Sequence, residues 1–202
     1  MKQVTIIKLF FALLSVGLLI YFIINKGVFS SMNSVVGAVG AVAVFKTDKI
    51  EGEVVVSEYR DGVKVKAHFT KLPSGKHGFH IHKAGDLRGE GCQGLCEHYD
   101  IGNNAHGGAP EHKGERHTGD LGNIELKNGN CEREYYIKGI SPQDLWGRSI
   151  IVHDDEDDLG EGPFEDSKVT GHSGARIGCA IFGRTAGGAC KPKYNKTRKN
   201  KK

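Results

Sequence analysis

The chain has 202 residues, 29 of them glycine and only 8% aromatic, and beyond the N-terminus no long stretch repeats apolar residues at helical spacing. This excludes a helical bundle and points to a turn-rich all-β body of about 150 residues. The formal charge of +4 hides an acidic body, with 18 Lys and Arg against 24 Asp and Glu between Val35 and Thr185, so a surface-wide nucleic-acid footprint is excluded.

The first 30 residues stand apart from the body. "LFFALLSVGLLIYFII", Leu9 to Ile24, carries no charge and follows Lys2 and Lys8. Two readings are open for residues 1–30: a cleaved signal peptide, or an uncleaved signal anchor that attaches the body to a membrane. Either sends the chain into the secretory route, as an anchored or exported protein; a cytosolic location is the alternative.

From Val35 the pattern changes to short alternating runs, which predict eight strands. "VGAVGAVAVF" is the first and "IEGEVVVSEY" the second. A turn at Arg60-Asp61-Gly62 leads into "VKVKAHFTKL", and "KHGFHIHK" follows. "TGDLGNIELK", a turn at Asn128-Gly129-Asn130, "CEREYYIKGI", "GRSIIVHD" and "ARIGCAIFG" complete the set. Two connections are too long for hairpins: Ala84 to His117 and Asp154 to Gly174. Long loops on a small β body carry function or need a staple. The body, 35–185, reads as one domain. Residues 186–202 read as a disordered basic tail, in which Asn195-Lys196-Thr197 fits a glycosylation acceptor and seven basic residues could contact a polyanion.

The five cysteines are Cys92, Cys96, Cys131, Cys179 and Cys190. The odd count leaves at least one thiol free or paired with another chain, and the absence of a Cys-x-x-Cys pair excludes a zinc ribbon.

The chemistry lies in the histidines. In a strand, residues two apart share a face, so His80 and His82 aim two imidazoles at one point. His98, His106 and His117 lie in the first long loop, Asp120 follows in "HTGD", and His153 ends "SIIVH". Imidazole suits copper and zinc, and a carboxylate among nitrogens suits zinc. Seven such ligands exceed one tetrahedral site and nearly fill two. His68 and His77 read instead as strand-surface and turn residues, and His112 as a solvated loop residue. The run Asp154 to Asp158 reads as a solvated loop except for Asp157.

The segments "HGFHIH", Gly91-Cys92, "EHYD", "HGGAP", "ERHTGDLGN", "IIVHDDEDDLGEG" and "GARIGCAIFG", in this order, resemble the copper/zinc superoxide dismutases from about Val36 to Gly183. The resemblance implies an eight-stranded antiparallel Greek-key β-barrel or sandwich with two long functional loops, the zinc loop and the electrostatic loop. It implies His80, His82, His98 and His153 as copper ligands. His98, His106, His117 and Asp120 become zinc ligands, with His98 bridging the two ions. Asp157 matches the acid linking a copper histidine to a zinc histidine, Arg176 the guanidinium beside the open copper position, and Cys92 and Cys179 the intrasubunit disulfide. The implied activity is antioxidant dismutation of superoxide to dioxygen and hydrogen peroxide by Cu(II)/Cu(I) cycling, with His98 and Arg176 as catalytic residues. A homodimer and a copper chaperone come with the family. A non-enzymatic copper carrier on the same barrel and a copper-only enzyme are the competing readings; carriers of that kind often lack a copper ligand or the linking acid, all present here, and retention of His106, His117 and Asp120 speaks against the copper-only enzyme.

The sequence also departs from the family. The stretch between His106 and His117 is two residues longer than expected. Lys168 falls one position before the steering lysine, and His172 stands where Asn is expected. Near the two-fold contact, Ala84 and Arg184 replace bulky apolar residues, for which Trp146 could compensate. Cys96, Cys131 and Cys190 have no counterpart; Cys131 is expected to face barrel packing.

Overall fold

A computed structural model describes residues 39–186; the expectations for residues 1–30, for Cys190 and for the tail from residue 187 lie outside them. The strands are β1 (Gly40–Lys46), β2 (Glu51–Tyr59), β3 (Gly62–Lys71), β4 (His77–His82), β5 (Asp120–Ile124), β6 (Cys131–Lys138), β7 (Ser149–His153), β8 (Arg176–Ile181) and β9 (Gly183–Arg184). They form two antiparallel sheets, ordered β6-β3-β2-β1-β9 and β5-β4-β7-β8. The non-consecutive neighbours, β3 with β6 and β4 with β7, are the Greek-key crossings. The ninth strand is the end of the expected eighth. At buried Phe182 the chain leaves the four-stranded sheet, and Gly183–Arg184 pairs with β1 of the other, joining the two along one edge. At the other edge the sheets stay open.

The five-stranded sheet alternates as its sequence does. Val63, Val65, Ala67 and Phe69 of β3 are buried while Lys66 and His68 are exposed, so one face meets the core and the other meets water. Phe45, Phe69 and Phe79 pack in series across the interior, tilted and then edge-on, with ring centroids 5.3 and 5.7 Å apart. Strands β4 and β7 differ: every residue of both is buried. Phe79, Ile81, Ile150 and Val152 fill the core, and the opposite face is covered by the two long connections, 83–119 and 154–175. Burial on both sides makes the outer face of this sheet a place for buried polar chemistry.

The turns follow their residues. Asn128 and Gly129 take φ of 54° and 78°, which suits a tight β-hairpin. The β2–β3 turn is Arg60–Asp61 alone, with Arg60 at φ 54°. Gly62 already pairs with Tyr59, and a β-carbon there would strike the Ile137 carbonyl, so close approach and not the turn requires glycine. Two one-turn helices went unread in the sequence: α1 (Pro142–Leu145), capped by Ser141 and Asp144, and α2 (Ser167–Thr170) within the second long connection. Among the described residues no helix is long and apolar enough to cross a membrane.

Candidate metal centre

Sheet register assembles the centre. On β4, His80 and His82 face away from the core residues Phe79 and Ile81. His80 lies opposite Asp120 of β5 and Ile151 of β7, and His153 of β7 lies opposite Arg176 of β8. Directly opposed residues of an antiparallel pair share a face. Asp120, His80, His82, His153 and Arg176 therefore stand on one outer face, although they are spread over four strands. His98 joins them from the first loop through an isolated bridge to His82.

Two sets of ligand atoms converge, each mutually within 4.8 Å: His80, His82, His98 and His153; and His80, His98, His106 and Asp120. His117 lies beside the second set, with Nδ1 3.3 Å from Asp120 Oδ1 and its ring 5.4 Å from that of His98. The closer grouping takes in His80 because its ring lies 4.1 Å from the His98 ring.

The donor set fits a pair of metal ions. Five buried ring nitrogens have no hydrogen-bond partner: His80 Nδ1, His82 Nε2, His98 Nε2, His106 Nδ1 and His153 Nε2. In each case the other nitrogen of the ring is held. His82 Nδ1 donates to the Cys96 carbonyl (2.8 Å), His153 Nδ1 to the Gly174 carbonyl (3.3 Å), and His98 Nδ1 lies 2.8 Å from Asp120 Oδ1. His80 and His106 donate through Nε2 to the two oxygens of Asp157, both at 2.8 Å. His106 Nδ1 is 3.1 Å from Asp120 Oδ1, but out of line for a hydrogen bond. A buried polar atom left unpaired costs about 1–3 kcal/mol, and five beside one another require partners that the chain does not supply. Divalent copper and zinc, which take imidazole nitrogen, would supply them.

Electrostatics keeps three of these rings neutral and ready to take a metal, and holds one charged until a metal displaces its proton. Burial, with the neighbouring ring of His80, pushes His98 down to about 3; burial with His80 and His98 pushes His153 down to about 2. Burial also holds His82 well below its usual value. Their lone pairs are thus free at neutral pH. His106, which burial alone would lower, is raised to about 9 by Asp120 and Asp157. Both carboxylates, which burial alone would raise, are held well below the usual range by their histidine partners.

The other expected residues are placed as follows. The Cys92–Cys179 disulfide is present, across a separation of 87 residues, and ties the first long loop to β8. Arg176 reaches back to that loop, with Nη1 donating to the Cys92 carbonyl (2.8 Å) and Nη2 to the Cys96 carbonyl (2.6 Å). With His82, His98, His153, Asp166 and Val169 it lines a cleft of about 310 Å³. Lys168 points elsewhere, its Nζ lying 3.5 Å from where a β-carbon on Gly160 would sit. His172 is exposed, pairs with Asp166 (2.8 Å) and stacks on Phe164. His112 is solvated, as read, with Nε2 3.6 Å from Glu161. Cys131 is buried and Cys96 exposed. His77 corrects the reading of a turn residue: it is buried at the start of β4, its Nδ1 donating to the His153 carbonyl at 2.8 Å. That bond fastens the end of β7 from behind.

Three supports escaped the sequence reading. Asn123 exchanges two hydrogen bonds of 2.8 Å with the backbone of Asp157. Arg116 donates to the carbonyl of Asp120. The carbonyl of Cys96 anchors both His82 and Arg176. Asn123 and Arg116 lie inside "ERHTGDLGN", where polar residues flanking ligands were the available signal; a carbonyl leaves none.

Comparison with known proteins agrees with this geometry. The family model for copper/zinc superoxide dismutase (SODC) matches residues 50–182. The "Superoxide dismutase [Cu-Zn]" of Paramecium bursaria Chlorella virus 1 is 44% identical over 159 residues, covering 76% of this chain and 82% of that protein. The "Extracellular superoxide dismutase [Cu-Zn]" of Drosophila melanogaster is 40% identical over 141 residues, covering 67% and 76%. A solved structure, described as that of the clock protein EA4, superposes with a TM-score of 0.65 at 35% identity, over 73% of this chain and 94% of that one. With two converging sets of imidazoles under a disulfide-tied loop and a family match across nearly the whole described body, this chain belongs to the copper/zinc superoxide dismutase family.

Proposed function

We propose that this chain's reaction, conversion of two superoxide anions and two protons to dioxygen and hydrogen peroxide, is carried by a paired centre in the outer face of the β5-β4-β7-β8 sheet. His80, His82, His98 and His153 hold copper; His98, His106, His117 and Asp120 hold zinc. The observation that carries this assignment is the group of five orphaned ring nitrogens: those of His80, His82, His98 and His153 converge as one set, while that of His106 converges with His98 and Asp120 beside His117. Copper bound there supplies one-electron exchange between its two oxidation states, and zinc supplies fixed charge without redox change.

The chain's own residues do the rest. Arg176 stays charged at any physiological pH, and its two carbonyl bonds hold the guanidinium in the cleft, where it orients a small anion. Asp120 steadies Nδ1 of His98, and burial keeps the ring neutral, so Nε2 keeps its lone pair for the metal. Asp157 fixes the rings of His80 and His106 through one carboxylate, and a partner of this kind sets both orientation and basicity. The two long connections exclude water from all but the cleft.

Around this core the reading includes a homodimer, copper delivery by a chaperone, a polyanion contact by the tail, and export or N-terminal attachment. Export is supported by the extracellular relative and by the apolar segment Leu9 to Ile24. The test is metal stoichiometry with dismutation rate. His153→Gln is expected to lose dismutation and keep the far-ultraviolet circular dichroism of the parent; full activity in that variant would refute the assignment.

A further inference from the structure

We propose that Arg116 is a positioning residue for the zinc end of the centre, its guanidinium clamping the two backbone stretches that carry His106, His117 and Asp120. The inference rests on the metal assignment above and adds a residue to it. Arg116 Nε donates to the Gly108 carbonyl at 3.3 Å, and Nη2 donates to the carbonyls of Thr118 and Asp120, both at 2.8 Å. These acceptors belong to separate stretches. Gly108 lies two residues after His106, whereas Thr118 and Asp120 lie on the turn after His117. Between them the chain makes an excursion whose residues 111–115, Glu-His-Lys-Gly-Glu, are all exposed and form no strand or helix. Glu111 and His112 reach only exposed partners, Arg133 (3.5 Å) and Glu161 (3.6 Å), and the Arg116 guanidinium closes the base of the excursion.

The side chain of Asp120 is held independently. Its Oδ2 accepts the backbone N–H groups of Gly107 (3.0 Å) and His117 (2.8 Å), which leaves Oδ1 facing the Nδ1 atoms of His98, His106 and His117. Backbone amides thus orient the carboxylate, and Arg116 fixes the backbone from which it projects. The division needs a planar fork: three carbonyls on two stretches are beyond a single ammonium point donor. Among the described residues no carboxylate forms a salt bridge with Arg116, so its donors are turned to this clamp. Without it, metal binding itself must order the base of the loop, and that entropy is subtracted from affinity.

The test uses full-length protein stripped of metal, with zinc and copper affinities measured by chelator competition and Co(II) absorption as a probe of the zinc position. Arg116→Gln is expected to weaken zinc binding by about 10- to 100-fold, the usual loss when a residue supporting a ligand is removed. Arg116→Lys is expected to weaken it less, and both should leave copper affinity unchanged with a shifted Co(II) spectrum. Unchanged zinc affinity, or equal weakening of both metals, overturns the inference. If Arg116→Gln does not fold, Arg116→Lys decides by the same criteria. Asp120→Asn separates the two levels. If it leaves zinc binding intact, the metal assignment fails; if it abolishes zinc binding while the Arg116 variants do not alter it, the clamp alone fails.

Discussion

Replacing Asp157 by Asn tests how the two halves of the centre are coupled. Asp157 is 1% exposed, and its two oxygens accept from His80 Nε2 and His106 Nε2, each at 2.8 Å. Both rings must present Nδ1 as a lone pair to bind metal, so both must donate through Nε2. An Asn of the same size offers one carbonyl oxygen and one NH2 group. Only one ring keeps an acceptor; the other meets a donor and turns away or loses its tautomer. Oδ1 also accepts the N–H of Leu159 at 2.8 Å, so the second long connection loses an anchor in the variant that turns its NH2 toward His106. Loss of a support of this kind lowers metal affinity about 10- to 100-fold, or about 1.4–2.7 kcal/mol. The assay is chelator competition for each metal, with hydrogen exchange of residues 154–175 as a second readout. The expected result is weaker binding with faster exchange there. Unchanged affinity for both metals and unchanged exchange would refute the coupling.

Other outcomes follow from the same geometry. In the metal-free protein, the lowered pKa values of His98, His153 and His82 mean that the unfolded chain binds protons more readily, so stability is present above about pH 6.5 and falls as the pH drops toward 3. His106 acts oppositely, losing its contribution as the pH rises from about 6.5 through 9, but three rings outweigh one. Thermal unfolding of chelated protein should show Tm decreasing from pH 7 to pH 5, and a rise would contradict this. Reducing the Cys92–Cys179 bridge removes a constraint worth about 4–5 kcal/mol in the chain-entropy model and should loosen the first long loop before the sheets unfold. Unchanged activity and zinc affinity in reduced protein would show that the loop does not depend on it. Phe79→Ala, at a fully buried ring packed edge-on against Phe69, should cost about 3–5 kcal/mol in urea unfolding, while a cost under 1 kcal/mol would mean the site collapses to fill the void.

Local spacing determined much of this protein. Alternating residues in β3 and the Asn128-Gly129 turn specify strands and a hairpin because side-chain period and φ preference act within a few residues. His80 and His82 declare a common face for the same reason, and the residue types at 98, 106, 117, 120 and 153 declare metal chemistry. Tertiary structure decided what spacing does not encode. Whether β4 is buried on one face or two depends on loops that arrive from elsewhere, and so His77, which opens a predicted strand and reads as a turn residue, became an internal strut. The switch of sheets at Phe182 depends on where β1 lies. Arg116, Asn123 and the Cys96 carbonyl act through backbone groups, which every residue carries alike, so only proximity in the folded chain distinguishes those that hold the centre.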